Sequence, residues 1–275
     1  MRCSLCGEGV GLAFDSFAFR KILFMIPYFQ LMTFSLGPIT IQVWGLMVAL
    51  GILAATWVAA RMAVRRGQDE KIIWDLCVWV IMGAFFMARV FFFLYEPLLF
   101  LRDPLEFVRI WHGGFSIMGG FLGALIVGVW FLHRRKVDVW AYTDTALFAL
   151  PLGLGIGRIG CFLIHDHPGT LTHFIGGVQY PDGVRHDHGL YLSINGFVLF
   201  LLFLWLSRKK VKTGTYIVVF LLWEGITRFF LDFLRAQDGP IVDTRYFHLT
   251  PAQYTAFIMV VAGIWFAKKK LSNKS

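Results

Sequence analysis

The sequence is poor in charged residues. Only 16% of its 275 residues are Asp, Glu, Lys or Arg, whereas 57% are hydrophobic. A soluble domain of this length keeps a far more polar exterior, so the composition excludes that class and predicts a polytopic membrane protein. The net charge of +9 does not indicate a nucleic-acid partner. The Lys and Arg residues cluster in short connections between apolar segments, as membrane topology requires.

Cysteine is also scarce, and the spacing shows no disulfide framework. Cys77 and Cys161 lie in apolar segments, and Cys3-x-x-Cys6 is a lone pair near the start. The first two are typical of small interior residues, and a single pair at that spacing is a weak metal or redox signal. The glycine-rich stretches at 113–123 and 153–160 lack the Gly-Lys-Ser/Thr ending of a nucleotide-binding loop and favour close helix packing. Neither stretch therefore indicates a nucleotide-binding site.

Seven apolar segments are long enough to cross the roughly 30 Å hydrocarbon core of a bilayer, which takes about 20 helical residues. Every second connection between them is basic, and the others are mixed or nearly neutral. Since basic connections stay in the cytoplasm, this alternation places the N-terminus outside and the C-terminus inside. The predicted spans are 38–60, 72–95, 114–132, 141–164, 190–207, 213–234 and 250–268.

The predicted organisation is one all-α, seven-helix transmembrane domain at 25–270, with an outer loop at 165–189 and a cytoplasmic tail at 271–275. Residues 1–24 differ from this domain because they carry several charged residues before a second methionine, Met25. They contain no apolar core of the kind that a signal peptide needs. We interpret them as an extension or as the result of a misplaced start codon.

Charged residues inside the predicted spans are costly and mark candidate functional sites. The sixth span carries Glu224, Arg228, Asp232 and Arg235 at a spacing that puts all four on one helical face. In one interpretation the acids merely neutralise the arginines within the helix. In the other, this face lines a polar cavity where an arginine binds an anion, since a guanidinium donates two parallel hydrogen bonds to a phosphate. Arg158 in the fourth span has the same potential.

Two histidine clusters mark the ends of the predicted outer loop, "HDHPG" at 165–169 and "RHDHG" at 185–189. A His-x-His pair with an intervening Asp can bind a transition metal. The clusters also fit polar residues at a wet membrane edge. A third interpretation is proton transfer, because His titrates near neutral pH and Asp can orient it. The residues alone leave these alternatives open.

Several ordered motifs together identify a family. They are "GPITIQVWGLMVALG" at 37–51, "WHGGFSIMGGFLG" at 111–123, "ALPLGLGIGRIGCFLIHDHPG" at 149–169, "RHDHGLY" at 185–191 and "RFFLDFLRAQD" at 228–238. From Met25 onward, the chain resembles the prolipoprotein diacylglyceryl transferase family. Any one of these motifs would be weak, but their order along one chain makes the resemblance specific.

The resemblance implies a multi-pass transferase of the bacterial cytoplasmic (inner) membrane. Such an enzyme moves the diacylglyceryl group of phosphatidylglycerol to the thiol of a prolipoprotein's lipobox cysteine. Its partners would be phosphatidylglycerol, prolipoproteins and membrane lipids, without a cofactor. We predict catalytic roles for Arg158, Arg228, His165 and Asp166. We predict substrate-binding roles for Arg89, Gly119, Gly120, Gly160, Cys161, Gly169, Arg185, His186, Tyr191, Glu224, Asp232 and Arg235.

The chain also departs from the family pattern. Met118 stands where the family has a histidine, and Cys161 stands where the signature has an asparagine. Because Met118 cannot accept a proton, His165, beside the signature acid position, is our candidate substitute base. The alternative is a non-catalytic paralogue that binds lipid or lipoprotein. A metal-dependent hydrolase that uses the His-Asp-His clusters is a further alternative, and a transporter is disfavoured because the two halves show no inverted repeat.

Overall fold

A computed structural model of the chain describes residues 25–238 and 245–271. The segment 1–24, interpreted above as an extension, lies outside the described residues. So do the last four residues of the predicted tail.

The described part of the chain is built mainly from helices. Seven long helices overlap the seven predicted spans, and one short helix follows the second of them. The helices are α1 Val43–Arg65, α2 Glu70–Tyr95, α3 Pro97–Arg102, α4 Ile117–Arg134, α5 Val139–Ile164, α6 His188–Leu206, α7 Thr215–Leu231 and α8 Pro251–Phe266. Short 3₁₀ turns occupy Pro104–Phe107, Ile110–His112 and Asp232–Leu234, and a π-helical turn at Ala267–Leu271 ends the described chain.

The long helices have the character of a membrane bundle. Within the described residues, five of them (α1, α2, α4, α5 and α6) are long and apolar enough to cross a bilayer. The helices α7 and α8 have 17 and 16 residues. Large apolar side chains such as Leu53, Trp57, Met82, Phe86 and Leu125 are exposed on the surface of the bundle. Helices satisfy their own backbone hydrogen bonds in lipid, so the chain is a helical membrane protein.

Two small sheets interrupt the helical architecture, and the sequence did not predict them. Their strands are β1 Ile26–Pro27, β2 Thr33–Leu36, β3 Ile39–Gln42, β4 Pro168–Leu171, β5 Val178–Tyr180 and β6 Gly183–Asp187. β2 and β3 form an antiparallel hairpin whose turn contains Gly37 at a φ of 61°. The other sheet has the order β1-β5-β6-β4. The predicted outer loop is thus largely a sheet, and the first helix begins at Val43 because the preceding residues belong to the hairpin.

Helix α5 lies at the centre of the bundle and packs against α1, α6 and α7. Its contact with α1 is close because both helices carry glycine at the crossing. A Cβ on Gly51 would lie only 2.6 Å from the carbonyl oxygen of Gly153. Small residues allow such backbone contact between membrane helices. α2 packs on α4 and α1, and α7 packs on α8.

The three basic connections lie at one end of the bundle, where a buried aspartate joins the helices. Asp144 Oδ2 accepts a hydrogen bond from Arg66 Nη1 at 3.0 Å. Its Oδ1 accepts from the backbone N–H groups of Tyr216 and Ile217, at 2.9 and 3.1 Å. Gly214 precedes α7 and offers no capping side chain, so Asp144 satisfies the first N–H groups of α7 from a neighbouring helix. This intramembrane charge therefore has a structural role.

Candidate active site

The C-terminal end of α5 carries an arginine and a cysteine on one face. Arg158 Nη1 lies 3.7 Å from Sγ of Cys161. Within the part of the chain that the structure describes, no carboxylate forms an ion pair with Arg158. After Ile164 the helix ends in the left-handed residue His165, at a φ of 51°. The chain then turns back, so that Asp166 and His167 lie beside Cys161.

The end of α7 carries two further arginines around one aspartate. Asp232 is completely buried, and its Oδ1 lies 3.8 Å from Nη2 of Arg228 and 3.7 Å from Nη1 of Arg235. Its Oδ2 accepts a hydrogen bond from the hydroxyl of Thr250, which is the N-cap of α8. The helix ends at Leu231, so the prediction of one helical face for all four residues does not extend to Arg235, which has an extended backbone after a 3₁₀ turn. The acid contacts both arginines, but at distances longer than a hydrogen bond.

Histidine 188 connects the two arginine groups. Nη1 of Arg228 lies 3.4 Å from Nε2 of His188, the first residue of α6. The next residue, Gly189, lies directly against α5, because a Cβ there would be 2.9 Å from the carbonyl carbon of Cys161. Arg158 itself lies 3.7 Å from the sulfur of Cys161, so it is on the segment of α5 that Gly189 contacts. Three helices thus bring Arg158 and Arg228 to one site.

Glutamate 224 supports this site from one turn earlier in α7. Its Oε2 accepts a hydrogen bond from Nδ2 of Asn195 at 3.0 Å. The side-chain oxygen of Asn195 in turn accepts from Nε1 of Trp223 at 2.8 Å. Glu224 is thereby fixed between α6 and α7, one helical turn before Arg228. A fixed acid beside two guanidinium groups favours a polar cavity rather than a lipid-facing helix surface.

Comparison with known proteins decides the family. Residues 31–268 match the model of the prolipoprotein diacylglyceryl transferase family. The chain belongs to this family. The prediction made from the ordered motifs is therefore confirmed.

Relatives within the diacylglyceryl transferase family match nearly the whole chain. The phosphatidylglycerol–prolipoprotein diacylglyceryl transferase of Geobacillus kaustophilus is 30% identical over 248 residues, covering 85% of this chain and 90% of that protein. The enzyme of that name from Solidesulfovibrio magneticus is 33% identical over 264 residues, covering 92% and 99%. The one from Chromohalobacter salexigens is 32% identical over 236 residues, covering 84% and 88%.

In this member of the diacylglyceryl transferase family, His165 lies in a buried aromatic environment. Its side chain has no exposed surface, and Nδ1 lies 2.7 Å from Oδ2 of Asp187. The hydroxyl of Tyr180 donates to the same oxygen at 2.8 Å, and the ring of Tyr28 stacks on the imidazole at 4.7 Å. Asp187 also caps α6 through Leu190 N. These contacts favour a structural role for His165, and its catalytic role stays a prediction.

Four other predicted residues connect the sheet to the ends of the helices. Gly169 forms an isolated bridge with Arg235, and a Cβ at Gly169 would lie 2.6 Å from the carbonyl oxygen of His186. Arg185 donates to Gly169 O at 3.0 Å and also binds two aspartates, Asp182 and Asp238. His186 Nδ1 lies 2.8 Å from the hydroxyl of Tyr191. Gly169 and Arg185 therefore position Arg235 from the outer side.

The electrostatics of this outer layer follow from those contacts. The Arg185 guanidinium holds the pKa values of Asp182 and Asp238 below their usual range. Burial lowers the pKa of His186. The pKa of Tyr180 is raised by burial and by the neighbouring Asp187 charge.

Neighbouring helices and connections surround four further predicted residues, which are Arg89, Gly119, Gly120 and Gly160. Arg89 is buried and donates to carbonyl oxygens of the connection between α3 and α4, including those of Phe107 and Gly114 at 3.2 and 2.8 Å. Gly119 packs against the backbone of α2, whereas Gly120 has room for a Cβ. A Cβ at Gly160 would lie 3.0 Å from Cβ of Met47. The predicted substrate-binding roles of these four residues stay predictions.

Several residues of the site were missed or undervalued in the sequence. His188 bonds Arg228, and Asn195 and Thr250 hold the acids Glu224 and Asp232. An asparagine within an apolar span is itself a signal, because lipid offers its amide no partner. Thr250 and Gln253 form a capping box at the start of α8, and that pattern is readable from the sequence.

Proposed function

We propose that this chain transfers the diacylglyceryl group of phosphatidylglycerol to the cysteine thiol of a prolipoprotein lipobox, in the bacterial cytoplasmic (inner) membrane. Family membership and the names of the relatives support this activity. The observation that carries it is the packing of the Arg158–Cys161 segment of α5 against the start of α6, whose His188 contacts Arg228, with Arg158 unpaired by any carboxylate within the described residues. Guanidinium groups in that state suit an anionic lipid headgroup.

The reaction explains why two arginines are useful. The acceptor thiol loses its proton, a C–S bond forms, and the glycerol C–O bond breaks. Glycerol phosphate leaves with the bonding electron pair. Negative charge builds on the leaving oxygen as the bond breaks, and fixed cations in a low-dielectric site stabilise that charge more than they stabilise the reactant. Arg158 and Arg228 have this role, while Glu224 and Asp232 hold the arginines in position.

The thiol must also be activated, because the thiolate is the nucleophilic form. Of the predicted proton-handling groups, His165 is enclosed by aromatic rings and Asp187, as described above. Asp166 has 30% of its side chain exposed, and its Oδ1 lies 2.6 Å from Nδ1 of His167. The pair lies beside Cys161 at the arginine site. Asp166 and His167 are therefore the accessible candidates for activating the incoming thiol.

The basic connections support a topology for the chain. We propose that α1, α2, α4, α5, α6, α7 and α8 are seven spans, with the N-terminus outside and the C-terminus in the cytoplasm. The basic connections then lie in the cytoplasm, and the sheet and the arginine site lie at the outer end. Cysteines introduced at Asp182 and at Lys210 test this in intact cells, with all four native cysteines (Cys3, Cys6, Cys77 and Cys161) replaced. A membrane-impermeant thiol reagent should label the first and spare the second, and the reverse pattern would overturn the orientation.

A direct assay tests the activity. Purified protein in phosphatidylglycerol vesicles is incubated with a lipobox peptide, and the peptide mass is measured. The expected result is the mass increase of one diacylglyceryl group. A peptide with serine in place of the lipobox cysteine, and vesicles of phosphatidylethanolamine alone, should show no increase.

A second candidate function is a non-catalytic paralogue that binds lipid or lipoprotein. It is favoured by Met118, which has no titratable group, and by the enclosure of His165. This candidate predicts binding of phosphatidylglycerol or of the peptide without any mass increase. The same assay, combined with a binding measurement, distinguishes the two functions.

A further inference from the structure

Three side chains of different chemistry converge beside the arginine site. Sγ of Cys161, a carboxylate oxygen of Asp166 and a ring nitrogen of His167 all lie within 4.8 Å of one another. Within the described residues, this is the one group of three or more Cys, His, Asp or Glu side chains arranged so closely. Cys161 comes from the last turns of α5, and the other two come from the chain that turns back after His165.

The contact between Asp166 and His167 is close but poorly directed. Oδ1 of Asp166 lies 2.6 Å from Nδ1 of His167. That nitrogen is nevertheless buried and has no hydrogen bond of acceptable geometry within the described structure. Buried polar atoms are normally satisfied by a partner. A shared cation would satisfy such a buried imidazole nitrogen, which lies 2.6 Å from a carboxylate oxygen in a group that also contains Cys161.

The set of donors selects the type of ion. Thiolate and imidazole are typical ligands of zinc, whereas magnesium and calcium prefer oxygen donors alone. In a tetrahedral zinc site with these ligands, the ligand atoms lie about 3.4–3.6 Å apart, given metal–ligand distances of about 2.0–2.3 Å. The observed separations, 2.6 Å between Asp166 and His167 and at most 4.8 Å within the group, bracket those distances.

We propose that Cys161, Asp166 and His167 bind a zinc ion and that the thiol of the acceptor cysteine takes the fourth coordination position. The second half of this proposal rests on the proposed transferase function. Three protein ligands with an open fourth position are typical of catalytic rather than structural zinc sites. The side chains of Asp166 and His167 are 30% and 34% exposed, so the group is open to an incoming ligand.

The charges at the site balance. The Cys161 thiolate and the Asp166 carboxylate neutralise the two charges of the zinc ion. An incoming thiolate would add one negative charge, and Arg158, 3.7 Å from Sγ of Cys161, supplies one positive charge beside it. Arginine cannot be deprotonated under ordinary conditions, so this compensation is permanent.

The metal would supply the activation that the thiol needs. A thiol that binds zinc gives up its proton to solvent, so no histidine base is required. The metal-bound sulfur then forms the C–S bond while the C–O bond breaks, and the electron pair leaves with glycerol phosphate. The product is a neutral thioether, which is a weaker zinc ligand than the thiolate and leaves the metal. No oxidant or reductant takes part.

Metal content tests the site directly. The full-length protein, with Cys3 and Cys6 replaced by serine in every sample, is purified in detergent, stripped with a chelator, reloaded with zinc or with cobalt, and washed. We expect about one ion per chain, with a thiolate-to-metal absorption band in the cobalt form. Cys161→Ser, Asp166→Asn and His167→Gln should each lose most of the bound metal. The matched controls Cys77→Ser and His173→Gln, a cysteine and an exposed histidine outside the group, should retain it.

Transfer to a lipobox peptide is measured on the same samples. Loss of transfer on stripping, with recovery on addition of zinc, supports both halves of the proposal. Transfer that persists in a metal-free sample overturns the zinc site and leaves the transferase function standing. Stoichiometric zinc in a protein that transfers nothing under any condition supports the site and overturns the thiol's role. Metal binding that survives in Cys161→Ser overturns the assigned ligands.

Discussion

The carboxylate of Asp232 follows Arg228 by one helical turn, and its Oδ1 lies 3.8 Å from Nη2 of that arginine. This distance is too long for a hydrogen bond, so the acid orients the guanidinium without occupying its donors. Thr250 fixes the other oxygen of the acid. Arg228 therefore keeps N–H groups for a ligand, and its side chain is 19% exposed. The arrangement holds a cation in place before the anion arrives.

Replacement of either central arginine should abolish transfer without preventing folding. For Arg158→Ala and Arg228→Ala we expect the rate of peptide lipidation to fall on the order of 10²–10³-fold, because each removes a cation from the developing charge. Arg228→Lys should also be impaired, since an ammonium cannot donate two parallel hydrogen bonds. The control Arg65→Ala changes an exposed arginine at the end of α1. Full activity in both alanine variants would remove the arginines from the mechanism.

Two neighbouring glycines should respond differently to the same substitution. A Cβ on Gly119 would collide with the carbonyl oxygen of Met87, whereas a Cβ on Gly120 would have its nearest neighbours at 3.8 Å. Gly119→Ala should therefore destabilise the protein by about 1–3 kcal/mol through overpacking. Gly120→Ala should be neutral or slightly stabilising, because glycine is about 0.5–1 kcal/mol less favourable than alanine in a helix. Thermal unfolding in one detergent measures both. Equal effects would contradict the packing assigned to this face.

The buried Asp144 should contribute to stability rather than to transfer. Asp144→Ala removes the acceptor of the Tyr216 and Ile217 N–H groups, and unsatisfied buried donors cost about 1–3 kcal/mol. Thermal unfolding in detergent should show that loss, while the lipidation rate of the folded fraction stays unchanged. Asp75→Ala is the control, because its ion pair with Arg135 is exposed and exposed pairs contribute little. A selective loss of transfer in Asp144→Ala would contradict this assignment.

The outer layer should become less stable in mild acid because of His186. Burial lowers the pKa of His186 from the ordinary value of 6.5, so the unfolded chain takes up the proton more readily than the folded one. This contribution is absent above pH 6.5 and destabilises the fold as the pH falls below it. The carboxyl groups of Asp182 and Asp238, whose pKa values are lowered, stay charged in that range.

A comparison of melting temperatures between about pH 7 and pH 5 measures this effect, since His titrates in that window. His186→Gln should lose less stability than the unmodified protein across the window. His173→Gln, an exposed histidine in the same outer segment, should behave like the unmodified protein. An identical decline in all three would exclude His186 as the source.

Helix positions and membrane character were readable from the sequence because they depend on local composition. Runs of apolar residues fix the approximate extents of α1, α2 and α4 to α8, and the spacing from Glu224 to Arg228 puts these two residues on one face of α7. The strands were not readable because they are short and lie between glycine-rich turns. The shift of the first helix to Val43 has the same origin, since hairpin pairing of 39–42 with 33–36 is a contact between two segments.

The same distinction between local pattern and contacts between distant segments applies to the functional residues. Sequence by itself determined that arginines, acids and histidines lie inside or at the edge of apolar spans. A charge there is costly and therefore marks a candidate functional residue. Only the tertiary structure decided which of them meet. It directs Asp144 and Arg89 to backbone groups, encloses His165 among aromatic rings, and brings Arg158, His188 and Arg228 from three helices to one site. The reason is that a partner across helices depends on packing and on chain reversals, such as the turn at His165, whereas a periodic pattern records only the face of one helix.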